Sequence, residues 1–127
     1  MALTTDDIVA IQQLYTGYCH AIDELDGESF SNCFTPEGSL SGAGGAPLVG
    51  REALAKFAGR LHPGLRHVVF NVHVDGNGDD ARGRAYFAAY TVAERPPTLL
   101  VTGRYRDTLT RASGAWLFAE RQATPDT

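Results

Sequence analysis

A titratable ring, a carboxylate and a phenol occur at positions from which they could act together on a small molecule. His67 follows Arg66 at the start of an apolar run that ends at Val74, and Tyr18 and Asp23 lie upstream in a segment with helical spacing. An imidazole titrates near neutrality, so it can both accept and return a proton. A carboxylate bound to one ring nitrogen would fix its tautomer, and a phenol would donate to an oxygen that gains negative charge. These residue types indicate acid/base chemistry, provided that they meet.

Three tyrosines and an asparagine are further candidates for contacts with a substrate. Asn71 lies four residues beyond His67, on the same strand face if no bulge intervenes. It could orient a substrate oxygen or tie down a neighbouring strand. Tyr86 and Tyr90 share a parity on the next predicted strand, and Tyr105 lies on the one after. We expect these residues to contribute to substrate binding, the aromatic rings chiefly as walls of a cavity.

A structural interpretation of the same residues stays open at this point. His67 could be a core histidine with a satisfied partner, and Asp23 a carboxylate at a helix end. A metal site is not expected, because His67 and His73 share a strand face but lie roughly 20 Å apart at about 3.3 Å per residue. The chain contains no phosphate-binding loop and no paired CxxC motifs, and we expect no cofactor.

The elements that must position these residues begin with a long amphipathic helix. Thr5, followed by Asp6 and Asp7, has the hydroxyl cap and first-turn acids that favour a helix start. One apolar stripe then recurs at helical spacing: Ile8, Ile11, Leu14, Tyr15, Tyr18, Cys19, Ile22 and Leu25. Asp23 falls at the margin of this stripe, from where its carboxylate could face a cavity beneath the helix.

Two shorter helices and a set of strands follow. Residues 27–34 and 51–61 have helical apolar spacing, 35–38 read as a turn, 39–41 as a brief strand, and the glycine-rich segment 42–47 as a mobile flap. Residues 65–75, 81–94, 99–111 and 115–122 are rich in Val, Tyr, Phe and Thr, which favour strands. Helices first and long antiparallel strands afterwards predict an α+β fold, with helices covering one face of a curved sheet.

Length and charge limit the class of protein. The 127 residues form a single predicted domain, 1–127, and the net charge of −4 argues against a nucleic-acid or anionic-membrane partner. The first residues lack a signal-peptide pattern, and no segment reaches transmembrane length, so we expect a cytoplasmic protein. Cys19 and Cys33 are isolated and are expected to be reduced, buried hydrophobes.

The order and spacing of several short motifs resemble one superfamily. The motifs are Tyr18 and Asp23, Phe34-Thr35-Pro36-Glu37-Gly38, Gly50-Arg51-Glu52-Ala53-Leu54, Arg66-His67, Asn71, Gly103-Arg104-Tyr105-Arg106-Asp107 and Gly114-Ala115-Trp116-Leu117-Phe118. Over residues 5–122 they resemble the SnoaL-like branch of the nuclear-transport-factor-2-like superfamily, in particular scytalone dehydratase and bile-acid 7α-dehydratase. The resemblance implies a cone-shaped curved antiparallel sheet wrapped around the N-terminal helices, with an internal pocket.

The same resemblance implies roles for individual residues. Asp23 matches the helix-one aspartate of the dehydratases, His67 their strand histidine, and Tyr18 the tyrosine of the bile-acid enzyme. Scytalone dehydratase has a second histidine on the next strand, where this chain offers Phe87 to Tyr90 and then Thr91. The resemblance therefore does not carry over a particular substrate.

The sequence thus predicts a cofactor-independent lyase of dehydratase type, acting on a small, largely apolar hydroxy-carbonyl substrate. His67 is the predicted acid/base, Asp23 its orienting partner and Tyr18 the donor to the substrate oxygen. Two alternatives stay open: an isomerase or polyketide-type cyclase that uses the same pair, and a non-catalytic module that binds a small ligand or serves assembly. A homodimer is expected by analogy, because such cones commonly pair through an exposed sheet face.

Overall fold

Two helices precede the first strand, a third helix follows the second strand, and the long first helix packs against the sheet. The computed structural model describes residues 2–126. The helices are α1 (Thr5–Asp23), α2 (Gly27–Ser31) and α3 (Arg51–Gly59). The strands are β1 (Phe34–Ser41), β2 (Leu48–Val49), β3 (Leu65–Asn77), β4 (Asp80–Thr91), β5 (Thr98–Thr110) and β6 (Leu117–Pro125).

The strands form one curved, unclosed sheet in the order β2-β1-β6-β5-β4-β3. The β1–β6 pair is parallel, and the other neighbours are antiparallel. This architecture confirms the predicted α+β cone. No helix within residues 2–126 has the length and apolar character needed to cross a membrane.

Helix α1 begins with a reciprocal cap. The side chain of Thr4 accepts a hydrogen bond from the backbone N–H of Asp7, whose carboxylate accepts the N–H of Thr4 at 2.9 Å. The capping residue is thus one position before the predicted Thr5, and the pair satisfies two N–H groups that the helix leaves free. The buried face contains most of the predicted stripe: Ile11, Tyr15, Tyr18, Cys19 and Ile22. The helix ends at Asp23, so Leu25 lies beyond it.

The region after α1 departs from the sequence prediction. Helix α2 ends at Ser31 rather than continuing to residue 34, and the predicted turn at 35–38 is part of β1. The pairing of β1 with β6 shifts register between Phe34 and Ser39. Pro36 lies within this irregular stretch, where a residue without a backbone N–H does not interrupt a regular ladder. Phe34 is fully buried, so hydrophobic contact holds the start of the strand in place.

A β-bulge divides strand β3 into two segments with opposite side-chain parity. The register with β4 shifts between Phe70 and His73, and Asn71 has a positive φ of 55°. Because one extra residue reverses the alternation of faces, His67 points inward while His73 points outward and is exposed. The expectation that these two histidines share a face is therefore wrong. A shared face for Asn71 and His67 is predicted only without a bulge, and the bulge places Asn71 outward.

The interior contains α1 and a cluster of aromatic side chains. The ring of Tyr18 lies 4.8 Å from Phe30 and 5.9 Å from Phe118, measured between centroids. Gly83 on β4 leaves the space that the Tyr15 hydroxyl occupies, since a Cβ at this position would collide with it. Tyr15 can therefore extend from α1 across the interior to the sheet.

Candidate active site

The end of helix α1 and the beginning of strand β3 meet in a side-chain contact. The Nδ1 atom of His67 lies 2.7 Å from Oδ1 of Asp23, although the residues are 44 positions apart. The backbone N–H of His67 also donates to both oxygens of this carboxylate, at 2.9 and 3.0 Å. The side chains are 14% and 15% exposed, so the pair lies at a partly sheltered position near the surface.

This geometry determines the proton arrangement of the histidine. An ionised carboxylate can only accept hydrogen bonds, so Nδ1 of His67 must carry the proton that it donates to Asp23. In the neutral ring, Nε2 is then left with a free lone pair. The backbone bond keeps Asp23 in place, so both the orientation and the tautomer of the imidazole are set by one residue.

His67 is part of the wall of a cavity of about 310 Å³ inside the cone. This volume is at the lower end of the roughly 300–1,000 Å³ typical of small-molecule sites. The walls are mostly apolar and come from α1, α3, the sheet and the glycine-rich loop: Tyr18, Ile22, Leu40, Gly42, Ala43, Gly44, Phe57, Leu61, Leu65, His67, Phe87, Val101, Tyr105, Ala123 and Pro125. The cavity therefore suits a small, largely apolar molecule with a few polar atoms.

Two phenol groups are among the polar groups that line this cavity. The rings of Tyr18 and Tyr105 make an edge contact with centroids 6.1 Å apart, and both residues line the cavity. Burial raises the pKa of Tyr18 to about 12, while the nearby positive charge of Arg121 limits the rise. Burial also raises the pKa of Tyr105 well above its ordinary value. Both hydroxyls are therefore protonated at neutral pH and can donate hydrogen bonds.

A buried ion pair lies next to these phenols. Arg121 on β6 is fully buried, and its Nε and Nη2 atoms donate to the two oxygens of Asp107 on β5, at 2.9 and 3.1 Å. The hydroxyl of Tyr15 donates a hydrogen bond to the same carboxylate. Burial disfavours the charge of Arg121, but the adjacent Asp107 outweighs this effect and raises its pKa. The guanidinium is thus a permanent positive charge inside the cone.

Sequence reasoning missed this ion pair, although a signal was present. Asp107 has the same parity along β5 as Tyr105 and Leu109, which are buried. Arg121 is three positions after the buried Phe118, where regular alternation would place it on the opposite face, and a register shift between β5 and β6 turns it inward. A charged residue at an inward position requires a partner of opposite charge. The parity of Asp107 thus indicates that a buried cation is needed, but only the register of β5 and β6 identifies Arg121 as that cation.

The other predicted substrate contacts lie elsewhere. Tyr86 is 47% exposed and contacts Phe70 across the outer face of the sheet, with centroids 5.9 Å apart. Tyr90 is opposite Arg66 in the β3–β4 register, one residue from the pair that contains His67, and so shares the outer face. Asn71 is exposed at the bulge.

Asn71, Tyr86 and Tyr90 are not among the residues that line this cavity, so the expectation that they do is wrong. The bulge turns Asn71 away from the interior, and Tyr86 and Tyr90 have the parity opposite to Phe87, which does line the cavity. Of the predicted residues, the structure brings together His67, Asp23, Tyr18 and Tyr105. The segment 42–47, predicted as a flap, contributes its first residues to the cavity wall.

Comparison with known proteins gives a family and several similar structures. The family described as SnoaL-like domain matches residues 4–122. No curated protein matches the chain significantly. A Mycobacterium tuberculosis protein of unknown function has a TM-score of 0.90 and 30% identity, over 97% of this chain and 78% of that one. A Nostoc punctiforme protein of unknown function, with a cystatin-like fold, has a TM-score of 0.90 and 25% identity, over 99% and 96% of the two chains.

A third similar structure is named after an enzyme. It is a Novosphingobium aromaticivorans protein provisionally named a scytalone dehydratase, with a TM-score of 0.80 and 25% identity over 94% of this chain and 84% of that one. These similarities agree with the resemblance seen in the sequence. With a match over nearly its whole length, the chain belongs to the SnoaL-like domain family.

Proposed function

We propose that this protein is a cofactor-independent lyase of dehydratase type, acting on a small, largely apolar hydroxy-carbonyl compound. One observation carries the proposal: a histidine whose tautomer is set by Asp23 forms part of an apolar cavity that also contains a phenol donor. The family match and the provisional name of the Novosphingobium structure support a role in small-molecule chemistry.

The proposed reaction follows from the positions of the proton donors and acceptors. Nε2 of His67 removes the proton from the carbon next to the carbonyl, and Tyr18 donates a hydrogen bond to the resulting enolate oxygen. The enolate electrons then form the new C=C bond as the bond to the hydroxyl group on the β-carbon breaks. The imidazolium returns its proton to the departing oxygen, so the products are an unsaturated carbonyl compound and water. Because the elimination of water exchanges no electrons with another molecule, the reaction needs no redox cofactor.

The test is product analysis with a panel of β-hydroxy ketones and hydroxylated aromatic precursors. We expect wild-type protein to form a product that has lost one water, as measured by mass spectrometry, and His67→Ala to abolish this turnover. His73→Ala is the matched control, because His73 lies beyond the bulge on the outer face and should leave the rate unchanged. Products of unchanged mass would indicate an isomerase or cyclase instead. Binding without turnover, unaffected by His67→Ala, would indicate a ligand-binding module.

We also propose that the protein forms a homodimer through the outer face of its sheet. Val68, Phe70 and Tyr86 are 41%, 44% and 47% exposed, and they are neighbours on strands β3 and β4. A group of large apolar side chains on one sheet face is typical of a protein–protein interface. Burial of this face in a dimer would leave the cavity, which opens on the inner side of the sheet, accessible.

A further inference from the structure

Four arginines are grouped on the outer face of the sheet, on the side away from the cone cavity. Arg82 and Arg84 lie on β4, Arg104 and Arg106 lie on β5, and all four are exposed. The whole chain has only 11 Lys and Arg residues, and its net charge is −4. The outer face therefore carries a basic patch on a protein that is acidic as a whole.

The register of the two strands brings three of these arginines together. Arg84 is directly opposite Arg106, and Arg104 is two residues along β5 from that pair. The Cβ atoms of residues directly opposite lie about 5 Å apart, and diagonal neighbours about 7–8 Å apart, which long side chains can span. Like charges directly opposite each other destabilise a sheet, so the stability of the fold does not explain this arrangement.

No carboxylate compensates these three guanidinium groups. Arg84, Arg104 and Arg106 make no ion pair and no side-chain hydrogen bond with any residue between 2 and 126. Arg111 and Arg121, by contrast, each have a carboxylate partner. Arginine forks that have no partner within the protein offer the donor geometry that binds an anion with several oxygens.

A recess of about 340 Å³ on the outer face adjoins this group of arginines. The residues of outward parity that line it are Asn71, His73, Arg84, Tyr86, Arg104 and Arg106, and no carboxylate residue lines it. A second recess of about 270 Å³ also contacts Arg84 and Arg106, but Asp75 and Glu120 are among its lining residues. These acids would repel an anion, so the first recess is the better anion site.

We propose that this first recess binds the phosphate group of a small phosphorylated compound. A carboxylate has two oxygens, which one arginine fork can occupy. A phosphate monoester has three acceptor oxygens and a charge of about −1.5 to −2 at neutral pH, so it can bind Arg84, Arg104 and Arg106 together. Tyr86 is opposite Arg104 in the register, where its ring can contact a planar group that is joined to the phosphate.

This phosphate site adjoins the face that the proposed homodimer would bury. Tyr86 belongs to both, whereas Arg84, Arg104 and Arg106 are not among the apolar residues of the dimer face. Removing guanidinium groups from water without a partner is costly. The dimer contact is therefore expected to end at Tyr86 and to leave the arginines open to a ligand.

Isothermal titration calorimetry at low ionic strength tests this inference with three probes. Phenyl phosphate has a phosphate and a ring, inorganic phosphate has the anion alone, and benzoate has a ring with a carboxylate. We expect the wild-type protein to bind phenyl phosphate most tightly, inorganic phosphate more weakly and benzoate most weakly. Arg106→Gln should weaken the binding of phenyl phosphate about tenfold to a hundredfold, the loss expected for hydrogen bonds between charged groups.

Arg66→Gln is the matched control. Arg66 is also an exposed arginine of the outer face, but it does not line the recess. It is opposite Tyr90, roughly 20 Å from Arg84 at about 3.3 Å per residue. Both variants remove one positive charge, so an effect of net charge alone would appear equally in the two. Tyr86→Leu should lower the affinity for phenyl phosphate to that for inorganic phosphate and leave the latter unchanged.

Several results would overturn the inference. Equal losses in Arg106→Gln and Arg66→Gln would show an effect of net charge, and benzoate that binds as tightly as phenyl phosphate would show that the ring alone is recognised. An affinity that falls as the protein concentration rises would show that a second copy of the chain covers the recess. Loss of phenyl phosphate binding in His67→Ala would place the probe in the cone cavity instead. Because these titrations do not depend on turnover, the phosphate site and the proposed lyase reaction stand or fail separately.

Discussion

Replacing Asp23 by Asn tests whether this carboxylate sets the chemistry of His67. The amide keeps the size of the carboxylate but offers one acceptor oxygen and one donor nitrogen. Asp23 accepts from both the backbone N–H and Nδ1 of His67, and all three contacts measure between 2.7 and 3.0 Å. An asparagine oxygen that accepts the backbone N–H would direct its NH₂ group at Nδ1. The ring proton would then move to Nε2, the atom that must be free to act as a base.

The expected effect on activity is much larger than the effect on stability. Loss of a positioned general base typically costs about 10²–10⁴-fold in rate, so kcat of Asp23→Asn should fall by that factor. The free energy of unfolding should fall by about 1–3 kcal/mol, because hydrogen bonds to a charged acceptor are weakened. Glu24→Gln is the control, since Glu24 is exposed and next in the chain.

The assay reads the tautomer directly, in addition to the rate. ¹⁵N NMR of imidazole-labelled protein distinguishes a protonated Nδ1 from a protonated Nε2. We expect wild-type and Glu24→Gln protein to carry the proton on Nδ1 of His67, and Asp23→Asn to carry it on Nε2. An unchanged tautomer together with a large loss of activity would refute the argument, because Asp23 would then act in some way other than by orienting the ring.

Three further predictions concern the ion pair, the phenols and the outer face. Asp107→Ala leaves the fully buried Arg121 unpaired, so unfolding by denaturant should show a loss of about 3–5 kcal/mol, whereas Asp75→Ala on the exposed outer face should change little. Burial raises the pKa of Tyr18 from 10.0 to about 12. The contribution of this residue to the free energy of unfolding is therefore fully present below pH 10 and is lost as the pH rises towards 12. Tyr18→Phe should show a smaller alkaline fall in Tm than the wild type. Phe70→Glu places a charge on the proposed dimer face, so light scattering should show a monomer while the far-ultraviolet circular dichroism stays unchanged.

Much of the fold follows from local patterns. The apolar stripe of α1 and the alternation along β3 to β6 are short-range signals, and they predict the elements that the structure contains. The boundaries are less accurate. Helix α2 is shorter than its apolar spacing indicates, because Phe34 contributes to the core from the start of a strand instead.

The outer placement of Asn71 depends on information that is not local. A bulge adds a single residue, and its effect is to reverse the face of everything beyond it. Asparagine tolerates positive φ better than most residues, yet nothing in the surrounding apolar run marks this asparagine as the site of a bulge. The register of two strands, which only the assembled sheet defines, decides which side chains face the cavity.

The ion pair between Asp107 and Arg121 was equally hard to predict, for an energetic reason. A charged residue in a strand is usually exposed, so it is predicted to face the solvent unless a residue of opposite charge is found to pair with it. The partner here is on the neighbouring strand, 14 residues away in sequence. Its pairing depends on both side chains pointing inward at the same register position, as Asp107 and Arg121 do.

Asp23 is a carboxylate at a helix position that disfavours negative charge, and this placement supports a functional role. The C-terminal end of a helix carries partial negative charge, so a carboxylate in the last turn is unfavourable by roughly 0.3–1 kcal/mol. Asp23 is the last residue of α1, and within residues 2–126 its hydrogen bonds come from His67, which lines the cavity. A residue kept only for the stability of the helix would not be an acid at this position. An unfavourable placement that a cavity histidine offsets is therefore better explained by the chemistry of that histidine than by the needs of the fold.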